Sequence, residues 1–355
     1  MRVSAVGMRK GWVALLFLAA AAWWCAPSPV WAQAAELDPR AFARDVLQLE
    51  DDQLAAIDRG DVVTRLLATT DGAEIAAFGV VRAAGTLDLL LRLSKDVKRS
   101  RQVSHIPEIG LFSSPPRLGD LDLLQVPPED VKALRKCSPG SCDVKLGPKA
   151  LDELARIDWA SRGADSEVVA VIKRMMLEFL VAYQEGGTDS LDAIADKSTV
   201  KSRTQEYQEL LAHSPYLVEY VKEFHHYLAV YPEGTLPQTE DLFYWTKEEF
   251  GLKPVISLYH LTVHREGDHI LVANKLLAAS HYFNASLEIL AGVPTADGKG
   301  LYLFSLQRTR IDPPTGKLAG IQIEKVRSGL EAGVRERLEP MRARLAEAAA
   351  ETEGQ

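Results

Sequence analysis

The stretch "KPVISLYHLTVHREGDHILVANKLLAASHYFNASLEILAGV", residues 253–293, decides the fold. Its runs are rich in β-branched and aromatic residues, and they carry the period of strands where the segments before them carry the period of helices. "KPVISLYHLTVH" (253–264), "HILVANKLLAASHYF" (269–283), "NASLEILAGV" (284–293) and "GLYLFSLQRTRID" (300–312) follow in quick succession. "REGD" and "ADGKG" supply turns between them. Strands joined so closely pair antiparallel, because a parallel pair needs a crossover of a dozen residues or more.

On the C-terminal side, Ile323, Val326, Leu330, Val334, Leu338, Met341 and Leu345 recur three or four apart and predict one long terminal helix, which Pro340 should kink or end. On the N-terminal side, residues 61–112 open with two β-rich runs joined at Thr70-Asp71-Gly72. A helix follows, with Leu87, Leu90, Leu91 and Ser94 on one face, and then the β-rich "VSHIPEIGLF". Residues from about 148 to 250 are dominated by helical periodicity, with Pro148 and Ser214-Pro215 as starts and Gly186-Gly187 as a stop. Tyr216, Tyr220, Phe224 and Tyr227 recur there at helical spacing, as a core face does. The fold class expected is α+β: an antiparallel sheet gripping a long C-terminal helix, with a mostly helical insertion.

The polar residues among the strands are the candidate site. If "LAASHYFNASLEIL" (277–290) is strand, His281 shares a face with Lys275 and Phe283, and Tyr282 takes the other face. Each face then mixes polar and apolar groups, as happens when both faces meet protein or ligand. His260 on one neighbouring strand, and Arg308 and Asp312 on another, join the same group, and His281 is expected within reach of at least one of those three. Buried polar side chains must find partners. Two readings stay open: a hydrogen-bond network that fixes strand register, or a polar anchor in a ligand cavity made by His260, Lys275, His281, Tyr282, Arg308 and Asp312.

Metal and cofactor chemistry find no complete motif. His260 and His264 share a strand face but lie about 13 Å apart. His264 and His269 could face each other across the Glu266-Gly267 turn, but no third ligand accompanies them. There is no G-x-S-x-G elbow, no G-x-G-x-x-G and no phosphate loop. No cofactor and no metal are expected.

At the N-terminus Arg2, Arg9 and Lys10 precede the apolar "GWVALLFLAAAAWW" and the small-residue end "VWAQA". That is the pattern of a secretory signal peptide, with a retained anchor as the alternative, since the run is shorter than the about 20 residues a span needs. Cleavage after Ala32 or Ala34 removes three positive charges, taking the formal charge from -8 to -11. An acidic chain without a basic run is no partner for nucleic acid. Export predicts a periplasmic or secreted protein that is not an integral membrane protein after cleavage. An oxidising compartment makes Cys137 and Cys142 in "CSPGSC" a disulfide, with Pro139-Gly140 closing the turn. Residues 33–355 are then one domain.

A strand hairpin and helix, then a meander closed by one apolar-faced helix, resembles the START or Bet v 1-like helix-grip superfamily (SRPBCC) over Asp61–Phe112 and Lys253–Leu345. The segments "FGLKPVISLYHLTVH", "AASHYFNASL" and "RTRID" are similar to a family of uncharacterised exported bacterial proteins. The architectural resemblance implies a cavity between the curved sheet and the terminal helix. The function expected from it is a binding or carrier protein for a hydrophobic or amphipathic small molecule or lipid. The alternatives are a hydrolytic or cyclase-type enzyme using His, Tyr and Asp in that cavity, and a cell-envelope protein-interaction module.

Overall fold

The computed structural model describes residues 38–353, apart from 102–104, 250–252, 315 and 318. The expected signal peptide, residues 1–32, lies outside the described residues. The eight strands are β1 (Val63–Leu67), β2 (Glu74–Ala83), β3 (Glu108–Leu111), β4 (Thr239–Glu248), β5 (Val255–Glu266), β6 (His269–Ala279), β7 (Phe283–Pro294) and β8 (Leu301–Ile311). They form one sheet in the order β1-β2-β8-β7-β6-β5-β4-β3, antiparallel throughout. The chain thus lays down both edges first, with β1–β2 at one side and β3 at the other. The meander β4 to β8 then fills the middle.

The alternation of each strand sends two sets of side chains to two covered faces. One face carries Val81, Leu261, Val263, Val272, Leu290 and Leu303, which pack against Leu90 and against Val334, Leu338, Met341 and Leu345 of the terminal helix Ala319–Glu353. The helix comes down close over β2 because Gly79 leaves room for it: a Cβ there would stand 2.6 Å from Val334 Cγ1 and 2.7 Å from Leu338 Cδ1. The other face is covered by helix Asp51–Asp58 over β2 and β8, and by the inserted helices Arg203–Ala212 and Lys222–Val230 over β6 and β7. Leu180 and Tyr183, from the long inserted helix Ala164–Gly186, pack on Phe243, Leu258 and Leu277 of the same face. With both faces covered, strands mixing polar and apolar residues on each side are accounted for.

Three local readings differ from the structure. The block read as helical contains β4, which pairs with β3 and β5 inside the sheet. His281 and Tyr282 are not on a strand: β6 ends at Ala279, β7 starts at Phe283, and Tyr282 makes the turn with φ 60°. His264 stands opposite Leu271, and it is Glu266 that faces His269, so the two histidines are not cross-strand partners. Cys137 and Cys142 are joined as a disulfide in a turn where Ser138 and Ser141 pair. Among the described residues no helix is long and apolar enough to cross a membrane.

Candidate functional site

Charge enters the apolar layer between the sheet and the terminal helix at Glu288. Glu288, on β7, points into this layer because it shares its face with Leu290. Arg101, at the end of the short helix Val97–Arg101, donates from Nη1 to Glu288 Oε2 at 2.6 Å. Arg337 of the terminal helix brings Nε to 3.1 Å from Glu288 Oε1, an ion pair without hydrogen-bond alignment, while its Nη2 donates to Gln307. Burial by itself raises the Glu288 carboxyl, but the two guanidinium groups outweigh it and hold the group below the usual carboxylate range. The same burial lowers Arg101, and Glu288, with Tyr244 and Tyr259, more than compensates.

Around this ion cluster lie Ser94, Ser100 and Ser305, whose buried hydroxyls have no hydrogen-bond partner among the described residues. Val272, Leu290, Leu338 and Met341 wall the cavity they share, which measures about 30 Å³. That is room for about two water molecules and not for a whole lipid. The lining is unbalanced. Two guanidinium groups and three hydroxyls supply donors, whereas Glu288 is the one carboxylate among the lining residues. Each hydroxyl can also accept, so charge decides what completes the site: two guanidinium groups repel an ammonium, whereas an acceptor takes the Arg337 Nε–H and the hydroxyl hydrogens, and the apolar walls fit a tail attached to it.

The six residues expected at the site are all placed, and none of them lines this cavity. His260 and Lys275 lie on the opposite face, under the insertion, where both contact Tyr183. Arg308, on that same face, donates to Glu74 at 2.5 Å and to the Tyr216 hydroxyl at 3.2 Å. Asp312 follows β8 and accepts from Lys145 and Lys197 at 2.6 Å and from Lys201 at 2.8 Å. His281 pairs with Asp130 at 2.9 Å, not with His260, Arg308 or Asp312. Tyr282 accepts from the Lys253 backbone N–H at 3.1 Å. The expected single polar group is thus several separate ones, because the partners come from the inserted segments and the turn at Tyr282 takes His281 off the strand.

The residues that do line the cavity carried a weaker signal. Ser94 was placed on the apolar face of its helix by spacing alone. Glu288 is a lone charge in "NASLEILAGV", the same polar-in-strand pattern that marked Lys275. Arg101 and Arg337 sit among other charged residues, and nothing in the spacing singles them out.

No protein-family model matches the chain, and no curated protein does. Among solved structures the chain is similar to a STAR-related lipid transfer protein, fragment 25–204, from Xanthomonas axonopodis. The two share 8% identity over 80% of this chain and 93% of that one, with a TM-score of 0.36.

Proposed function

We propose that this protein is an exported, START-like binding protein, with its terminal helix gripped by the sheet, that holds an amphipathic small molecule in the gap between them. The head group sits on Arg101, Arg337 and the three serine hydroxyls, and the tail lies along Val272, Leu290, Leu338 and Met341. One observation carries this reading: buried hydroxyls left without partners beside an ion cluster, in the middle of an otherwise apolar layer. Buried polar groups without a protein partner are met by water or by a ligand, so three of them around one cavity mark a place that receives a polar group. Because the cavity is small, the ligand enters by lifting the terminal helix off Gly79 and widening the gap. An enzymatic role for the His260 group is less well supported, since that ring is 2% exposed and packed between Tyr231 and Phe243 at 4.5 and 4.7 Å.

Calorimetric titration with amphiphiles of one chain length and different heads tests the reading. A carboxylate or alcohol head is expected to bind one per chain, and an ammonium head is expected not to. Binding of the ammonium form alone, or of no member of the series, refutes it.

A further inference from the structure

On the opposite face of the sheet four side chains form an unbroken hydrogen-bonded chain. Lys275 Nζ is 3.3 Å from the Tyr183 oxygen, that oxygen is 2.8 Å from His260 Nδ1, and His260 Nε2 is 2.7 Å from Asp241 Oδ1. Asp241, His260 and Lys275 stand on β4, β5 and β6, whereas Tyr183 comes from the last turns of the inserted helix Ala164–Gly186. The Tyr183 hydroxyl is therefore a bond between the insertion and the sheet. Two more such bonds flank it: Thr188 meets Lys275 Nζ, and Tyr227 donates to the second oxygen of Asp241.

The surroundings compensate the two bases unequally: His260 has Asp241, and Lys275 has no such partner among the described residues. Lys275 Nζ lies 3.6 Å from the centre of the Tyr207 ring, and Asp189 acts on it only through space. Among the described residues Lys275 has no carboxylate at ion-pair distance. The side chain of Asp241, one-fifth exposed, accepts also from Thr262 at 2.8 Å, and the Tyr231 ring packs 4.5 Å from that of His260.

Counting hydrogens shows what the chain can hold. Asp241, ionised, only accepts, so His260 Nε2 carries a hydrogen. With Nδ1 bare, it accepts from the Tyr183 hydroxyl, and the Tyr183 oxygen accepts from the Lys275 ammonium. With Nδ1 protonated, it donates to the Tyr183 oxygen. The hydroxyl hydrogen must then turn to Lys275, which can accept it only as a neutral amine. If both bases are charged, two donors converge on the Tyr183 oxygen, and its own hydrogen has no acceptor in the chain.

We propose that Lys275, Tyr183, His260 and Asp241 form an acid-operated latch, in which a second proton parts Tyr183 from the sheet and loosens the C-terminal end of the helix Ala164–Gly186. Burial lowers both bases, and Lys275 lowers His260 further against the pull of Asp241. A base lowered in the latched form binds fewer protons there than when released. The latch therefore weakens as pH falls, and His260 adds its part below about 6.5, where a free imidazole takes its proton.

Amide hydrogen exchange of residues 176–190, corrected for the intrinsic pH dependence, reads the latch directly. Between about pH 7.5 and about pH 5 the protection of this segment in the mature protein is expected to fall about tenfold, more than that of β6 and β7. In Lys275→Met the two donors no longer converge, and the fall is expected to shrink below about threefold. Nitrogen chemical shifts of the wild-type histidines give a reading that needs no variant: the Nε2–H tautomer at neutral pH, with charging of His260 coincident with the loss of protection. Constant protection across the range, charging of His260 with the segment still protected, or a full response in Lys275→Met each overturns the latch.

Discussion

Asp312 shows how a single carboxylate can organise a region. Three lysines converge on it, one of them, Lys145, almost fully buried, and Asn284 adds a donor at 3.2 Å. Burial raises the Asp312 carboxyl, but the three ammonium groups overcome this and hold it well below the usual range. A group lowered in the folded state adds stability above its unfolded pKa, about 3.9, and that stability is lost as pH falls through the folded value. Asp312→Asn is expected to cost about 2–4 kcal/mol at neutral pH, because it leaves the buried Lys145 with only Asp196, 3.9 Å away, as a carboxylate. Urea unfolding at several pH values should also show part of the acid slope missing in that variant. The serines behave oppositely. Ser305→Ala removes a hydroxyl that has no partner among the described residues, so thermal unfolding is expected to change by about 0.5 kcal/mol or less, while affinity for a bound amphiphile drops. A loss of about 1–3 kcal/mol in the ligand-free protein would show that the hydroxyl is already satisfied. The sequence marked His260, Lys275, Arg308 and Asp312 as polar residues that must find partners, and each has them. It did not tell which face each partner comes from, because Tyr183, Glu74 and Lys145 are remote in sequence.

Among the elements, the central strands and the terminal helix were legible because their periods are long and regular. β4 was not: "TEDLFYWTKE" has a continuous apolar middle, buried on both faces, that periodicity cannot separate from helix. The turn between β6 and β7 was missed because it contains no Gly, Asn or Asp at its tip. Tyr282 takes the left-handed conformation that those residues usually supply. The contact between the terminal helix and β2 rests on Gly79, and here a small change acts on a whole element. Gly79→Val places branches where Val334 and Leu338 now sit. It is expected to cost about 1–3 kcal/mol in denaturant unfolding and to loosen the helix, seen as faster amide exchange from Val334 to Leu345. The disulfide belongs to this scale too. Alkylation of the native protein should label neither Cys137 nor Cys142 before reductant is added, and its loop of a few residues gains only about 2 kcal/mol or less from closure.

For the whole molecule, the two faces of the sheet carry different devices. The face under the terminal helix holds the small donor-rich cavity, and the face under the insertion holds the four-residue hydrogen-bonded chain. Binding at the first is tested most directly by native mass spectrometry of the chain from residue 33 onward, intact and as Ser305→Ala. The prediction is a one-to-one complex with a carboxylate or alcohol amphiphile in the wild type, and a weaker complex in the variant at equal thermal stability. A wild-type chain that stays bare across the whole amphiphile series, or a variant that binds as tightly as the wild type, would contradict it.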